Sequence, residues 1–171
     1  MTMTRASFCG ALVCALVLAS CASAPEVPPG PPPPPVQRSE GAWLFNFDAP
    51  SGIASAVLRS SQGALLVELN CEGPSGPLVV RDWTFTELAA GPQNASVRLG
   101  QNVVAVTVAS PASPAGRAGL SFALDPRAPA VSQLFQGQEV QVLTTTKVHV
   151  WAEGAAGEIV AVANACVQRG S

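Results

Sequence analysis

The 171-residue chain has no tyrosine and a single histidine, and charged residues make up only 12% of it. Each scarcity excludes something. Without tyrosine, a broad aromatic platform for stacking sugars is not expected. So few charges do not make a disordered acidic or basic tail. The lysines and arginines stand singly, and the formal net charge is −2, which argues against a nucleic-acid partner. A lone histidine, His149, cannot build a multi-histidine metal centre, and spacing supplies it with no recognisable triad partner. There is no G-x-S-x-G, no glycine-rich phosphate loop and no C-x-x-C. No metal or cofactor is therefore expected.

At the N-terminus, Arg5 precedes an apolar run of eleven residues, Phe8 to Leu18. A spanning helix needs about 20, so the run reads as the core of an export signal. It ends in Leu18-Ala19-Ser20-Cys21, which resembles the lipobox of bacterial lipoproteins. Cys9 and Cys14 lack a small residue immediately before them. Ala22-Ser23-Ala24 offers an ordinary cleavage site, but Pro25 follows it, and its ring and missing N–H suit an extended substrate backbone poorly. The resemblance implies that residues 1–20 are removed and that Cys21 carries the lipid. Losing residues 1–20 takes away Arg5 and no acid, so the mature chain is one charge more negative. Two or more acyl chains make such an anchor stable. Ala22 and Ser23 after the cysteine imply sorting to the outer membrane, facing the periplasm.

Half of the sixteen prolines lie between Pro25 and Pro35. Five in a row, Pro31 to Pro35, force polyproline II at about 3.1 Å per residue. Residues 21–39 read as a stiff tether that would hold a domain up to about 60 Å from the membrane. A proline-rich ligand for a partner is the alternative.

Residues 40–171 read as one mainly β domain, a small antiparallel barrel or sandwich with one or two short helices. Trp43, Phe45 and Phe47 alternate with Leu44, Asn46 and Asp48. Leu65, Val67, Leu69 and Cys71 share a strand face, and Leu78 to Arg81 returns after a Gly/Pro turn. Ala95–Leu99 pairs with Val103–Ala109, Leu120, Phe122 and Leu124 alternate, and Glu139–Thr144 pairs with Lys147–Ala152. Ser110 to Gly119 reads as a loop of small residues. Val131, Leu134 and Phe135 have helical spacing between a proline start and Gly137. Ile159, Val162, Ala163 and Cys166 follow i, i+3, i+4, i+7 and predict a C-terminal helix; its β-branched residues leave a strand as the rival.

With Cys9 and Cys14 removed and Cys21 lipidated, Cys71 and Cys166 remain, and an oxidising compartment predicts a disulfide between them. Two buried free thiols are the alternative. Lys147, His149 and Trp151 alternate on the face opposite Val148 and Val150. This row reads as solvent-facing and is the best candidate contact surface. The carboxylates from Asp48 to Glu158 are scattered, and spacing pairs none of them for acid–base work.

From residue 64 onward the segments LLVELNC, LVVRDW and IVAVANAC resemble uncharacterised small envelope proteins of Alphaproteobacteria. Members of that group often carry Ser-Arg-Gly-Arg where this chain has Leu134 to Gln138. LNCEG also resembles the lipid-anchored lysozyme inhibitors, small disulfide-bonded barrels, but their Ser-Gly-x-x-Tyr loop is missing. The expected role is a non-enzymatic binding or structural module of the cell envelope, with an envelope protein or the cell wall as partner. A lysozyme inhibitor and an enzyme without a recognisable motif are the alternatives.

Overall fold

The computed structural model describes residues 30–48, 53–71, 76–88, 91–111 and 118–168. Met1–Pro32 and Pro33–Ser171 form separate compact units, and the fold below is that of the second.

Among the described residues, ten strands and two helices follow in the order β1 (Val36–Arg38), β2 (Ala42–Asp48), β3 (Ile53–Arg59), β4 (Leu65–Cys71), β5 (Leu78–Asp82), β6 (Gln93–Leu99), β7 (Asn102–Val108), β8 (Leu120–Leu124), α1 (Pro129–Ser132), β9 (Val140–Leu143), β10 (Val148–Val150) and α2 (Ala155–Gln168). They make two open five-stranded sheets, ordered β1-β10-β9-β6-β7 and β2-β3-β4-β5-β8. All neighbours are antiparallel except β1 and β10, which run parallel. The expectation of a mainly β domain with a C-terminal helix holds, and because neither sheet closes, it is a sandwich rather than a barrel.

Alternation explains the core. In β3, Ala54, Ala56 and Leu58 are buried while Ile53 and Arg59 are exposed; in β4, Val67, Leu69 and Cys71 are buried. Val97 and Leu99 of β6 and Val140 and Val142 of β9 join them from the other sheet in one hydrophobic cluster. Removing a leucine such as Leu69 from this packing costs about 3 kcal/mol. Gly100, at φ 60°, makes the tight β6–β7 turn that most side chains would strain.

The C-terminal helix prevails over the rival strand. Ile159, Val162, Ala163 and Cys166 are all buried, with Ala155 and Ala156 beside them, so packing against the sheet offsets the modest helix propensity of the β-branched residues. Cys166 lies at disulfide-bonding distance from Cys71 at the end of β4, with Cα atoms 5.7 Å apart.

Two expectations need correction. The first helix is a single turn. Val131 and Leu134 are buried, but Phe135 lies past its end and is 68% exposed. There, Phe135 donates its N–H to Gln138 Oε1, at 2.9 Å. The second correction concerns the tether. Val36–Arg38, placed by sequence in a segment ending at residue 39, pair with Val148–Val150, so the folded unit starts before residue 40. Parts of the Gly73–Pro77 turn and of the Ser110–Gly119 loop lie outside the described residues, as do Cys21, the N-terminal run and Arg169.

Candidate functional site

The short parallel strand β1 positions the site. Val148 donates its N–H to Pro35 O and Ser39 donates its own to Val150 O, both at 2.9 Å, which closes the β1–β10 ladder at each end. Outside the sheet, Arg38 pairs with Glu139 at 2.6 Å. That contact, helped by Gln141, holds the Glu139 carboxyl below the usual carboxylate range. Both side chains are largely exposed, so the pair adds about 1 kcal/mol or less. Gly41 then lets the chain pass against β3, because a Cβ there would stand 2.1 Å from Arg59 O.

On the inner side, Gln37 is in register with His149, and Ser39, two residues on, shares their face. His149 is 0% exposed. Its Nδ1 is 2.5 Å from Oδ2 of Asp82, which ends β5 in the opposite sheet and is also 0% exposed. A carboxylate only accepts hydrogen bonds, so Nδ1 carries the donated proton. In the neutral ring Nε2 then accepts from Ser39 Oγ, with which it is hydrogen-bonded.

Asp82 is fully engaged. Oδ2 also accepts from Trp151 Nε1 at 2.9 Å. Oδ1 accepts from Thr84 N–H at 3.0 Å and from Thr84 Oγ1 at 2.7 Å. The Thr84 hydroxyl, its proton committed to Asp82, also lies 3.1 Å from His149 Nδ1. Phe85 packs edge-on to the imidazole, with centroids 6.1 Å apart, and Trp151 rests against Trp43 at 6.0 Å. A buried carboxylate is tolerable only with partners of this kind.

The candidate row Lys147, His149, Trp151 is one face, as the alternation implied, but it does not face solvent. His149 and Trp151 are buried and Lys147 is half-buried. β10 is an interior strand, flanked by β1 and β9, and its polar face turns inward to meet Asp82. Lys147 spans the rim, donating to Thr84 O at 2.6 Å with its ammonium 4.9 Å from the Phe85 ring centroid. Burial pulls its pKa below the usual lysine value, opposed by the charges of Asp82 and Glu87.

Sequence reasoning missed Ser39 and Asp82. Asp82 closes an apolar strand as an ordinary terminal acid would, and Ser39 follows a three-residue strand too short to show a period. The order Ser–His–Asp, with Nε2 toward the hydroxyl and Nδ1 toward the carboxylate, is that of a serine hydrolase relay. Two features set it apart: the imidazole has no exposed surface, and the Ser39 N–H is committed to Val150 rather than offered to an oxyanion.

Among the described residues no group of three or more His, Cys, Asp and Glu could hold a metal, and no helix is long and apolar enough to cross a membrane. Compared with protein-family models, curated proteins and solved structures, the chain matches none.

Proposed function

We propose that this chain is a lipid-anchored cell-envelope module that acts by contact with a neighbouring envelope component. Lipid on Cys21 would hold it in the outer membrane, facing the periplasm. The observation that carries the reading is the junction between the proline run and the fold. Pro35 and Ser39 bracket β1 with backbone hydrogen bonds to β10, and the Ser39 side chain is fastened to His149 in the core. A pull on the tether is thus borne by the sheet and by a buried polar tie. That suits a domain held at a set distance from its anchor.

With β1 counted in the fold, a polyproline tether from Cys21 to Pro34 would reach at most about 40 Å at about 3.1 Å per residue. Tethering raises effective concentration toward partners within that reach, so a modest surface suffices. A labelled fatty acid should be incorporated into the wild type and not into Cys21→Ser; equal labelling of both would overturn the lipoprotein reading. Deleting Pro28–Pro34 should weaken crosslinking to native envelope neighbours while leaving the fold intact. Crosslinks unchanged by that deletion would refute a role for fixed reach.

A further inference from the structure

We propose that Ser39 is an activated nucleophile that accepts an acyl group from small activated esters. The inference rests on the site geometry and is independent of the anchored reading.

A serine hydroxyl is a weak nucleophile unless a positioned base takes its proton. Here the base is His149 Nε2, hydrogen-bonded to Ser39 Oγ. The imidazole cannot turn away, because Nδ1 is held by Asp82 at 2.5 Å and Phe85 stands edge-on beside it. Asp82 is fixed in turn by Trp151 Nε1 and by the N–H and hydroxyl of Thr84. Of the three relay residues, only Ser39 reaches solvent: it is half-buried, between exposed Arg38 and Glu40. Its chain neighbours Gln37 and Arg38 each line a hollow. One, of about 340 Å³, lies among Pro35, Val36, Phe85 and Lys147. The other, of about 200 Å³, lies between Arg38 and Trp151. Pro35, Val36 and Phe85 give the larger hollow an apolar wall.

In the step proposed, Ser39 Oγ attacks the carbonyl carbon and its proton passes to His149 Nε2. The new O–C bond forms, and the ester C–O bond breaks with its electron pair leaving on the departing oxygen. A phenolate departs without needing that proton, which stays on the imidazolium beside the Asp82 carboxylate. The buried imidazole lies beneath Ser39, where it meets neither an alkoxide leaving group nor an incoming water. The Ser39 N–H, bound to Val150 O, gives no oxyanion contact. Acylation is therefore confined to good leaving groups, and the acyl-serine accumulates instead of turning over.

The test treats the full-length protein with p-nitrophenyl acetate and, separately, with a fluorophosphonate, followed by intact mass and peptide mapping. One adduct per chain is expected, on the peptide carrying Ser39. It should be absent in Ser39→Ala and unchanged in Ser60→Ala. His149→Gln should slow labelling by roughly a hundredfold. Should that variant fail to fold, the wild-type pH profile decides. Labelling by an imidazole base rises with pH and then levels, whereas an unassisted hydroxyl keeps rising in proportion to hydroxide. No Ser39 adduct, an equal rate in folded His149→Gln, or a profile that never levels would each overturn the proposal.

Discussion

His149 on β10 and Asp82 on β5 meet across the sandwich at 2.5 Å, although 67 positions separate them in sequence. The contact joins the two sheets through a polar pair in an otherwise apolar cluster. Removing one side of such a buried pair strands the other, the costly case. Asp82→Ala leaves His149 Nδ1, Trp151 Nε1 and Thr84 without their acceptor and should lower unfolding stability by about 3 kcal/mol or more. Urea denaturation of the variant measures it; a loss below about 1 kcal/mol would contradict the fully engaged carboxylate.

His149→Ala should likewise be far from silent. A solvent-facing strand histidine is dispensable, but this one fills a closed site and satisfies both Asp82 and Ser39. A cost of about 2 kcal/mol or more is expected from the cavity and the orphaned partners. Circular dichroism melts of the purified variant test this, and an unchanged midpoint would return His149 to the surface.

The disulfide predicts a redox-dependent stability. Non-reducing peptide mapping of the exported protein should recover Cys71 linked to Cys166. The bond closes a loop with a sequence separation of 95, so replacing both cysteines by alanine should lower stability by about 2–4 kcal/mol. Quantitative alkylation of both thiols without reductant would refute the link.

Burial raises the Glu158 pKa, with no compensating cation among its causes. A carboxyl whose folded pKa lies above its unfolded value costs stability where it is ionised, and that cost fades as pH falls through its titration. Relative to Glu158→Gln, the wild type should therefore gain stability on acidification, by about 0.5 kcal/mol or less for a half-exposed group. Denaturation curves at neutral and acid pH check the sign; a wild type that instead loses ground to the variant would contradict the burial.

Much of the fold was legible because both sheets pack one face on a shared core. The alternation in β4, β6 and β8 maps directly onto burial. α2 was legible because its four apolar positions recur at helical spacing. β1 was not: Val36-Gln37-Arg38 is too short for a period, and its parallel pairing with β10 spans more than a hundred residues. In β10, alternation sorted the side chains into two faces correctly but could not say which face met the core. Polar Lys147 and His149 suggested solvent, and the deciding fact, a carboxylate waiting on β5, lies in another sheet. The candidate site is the part least written locally, since Ser39, Asp82 and His149 come from three distant segments, each ordinary by itself.

Nitrogen-15 NMR of the single imidazole tests the central claim most directly, that His149 is locked between Asp82 and Ser39. The account predicts one ring tautomer with the proton on Nδ1, a resolved Nδ1–H resonance protected from solvent exchange, and an Nε2 signal that shifts in Ser39→Ala. A mixture of tautomers, or an Nδ1 proton that exchanges as fast as in a free imidazole, would contradict it.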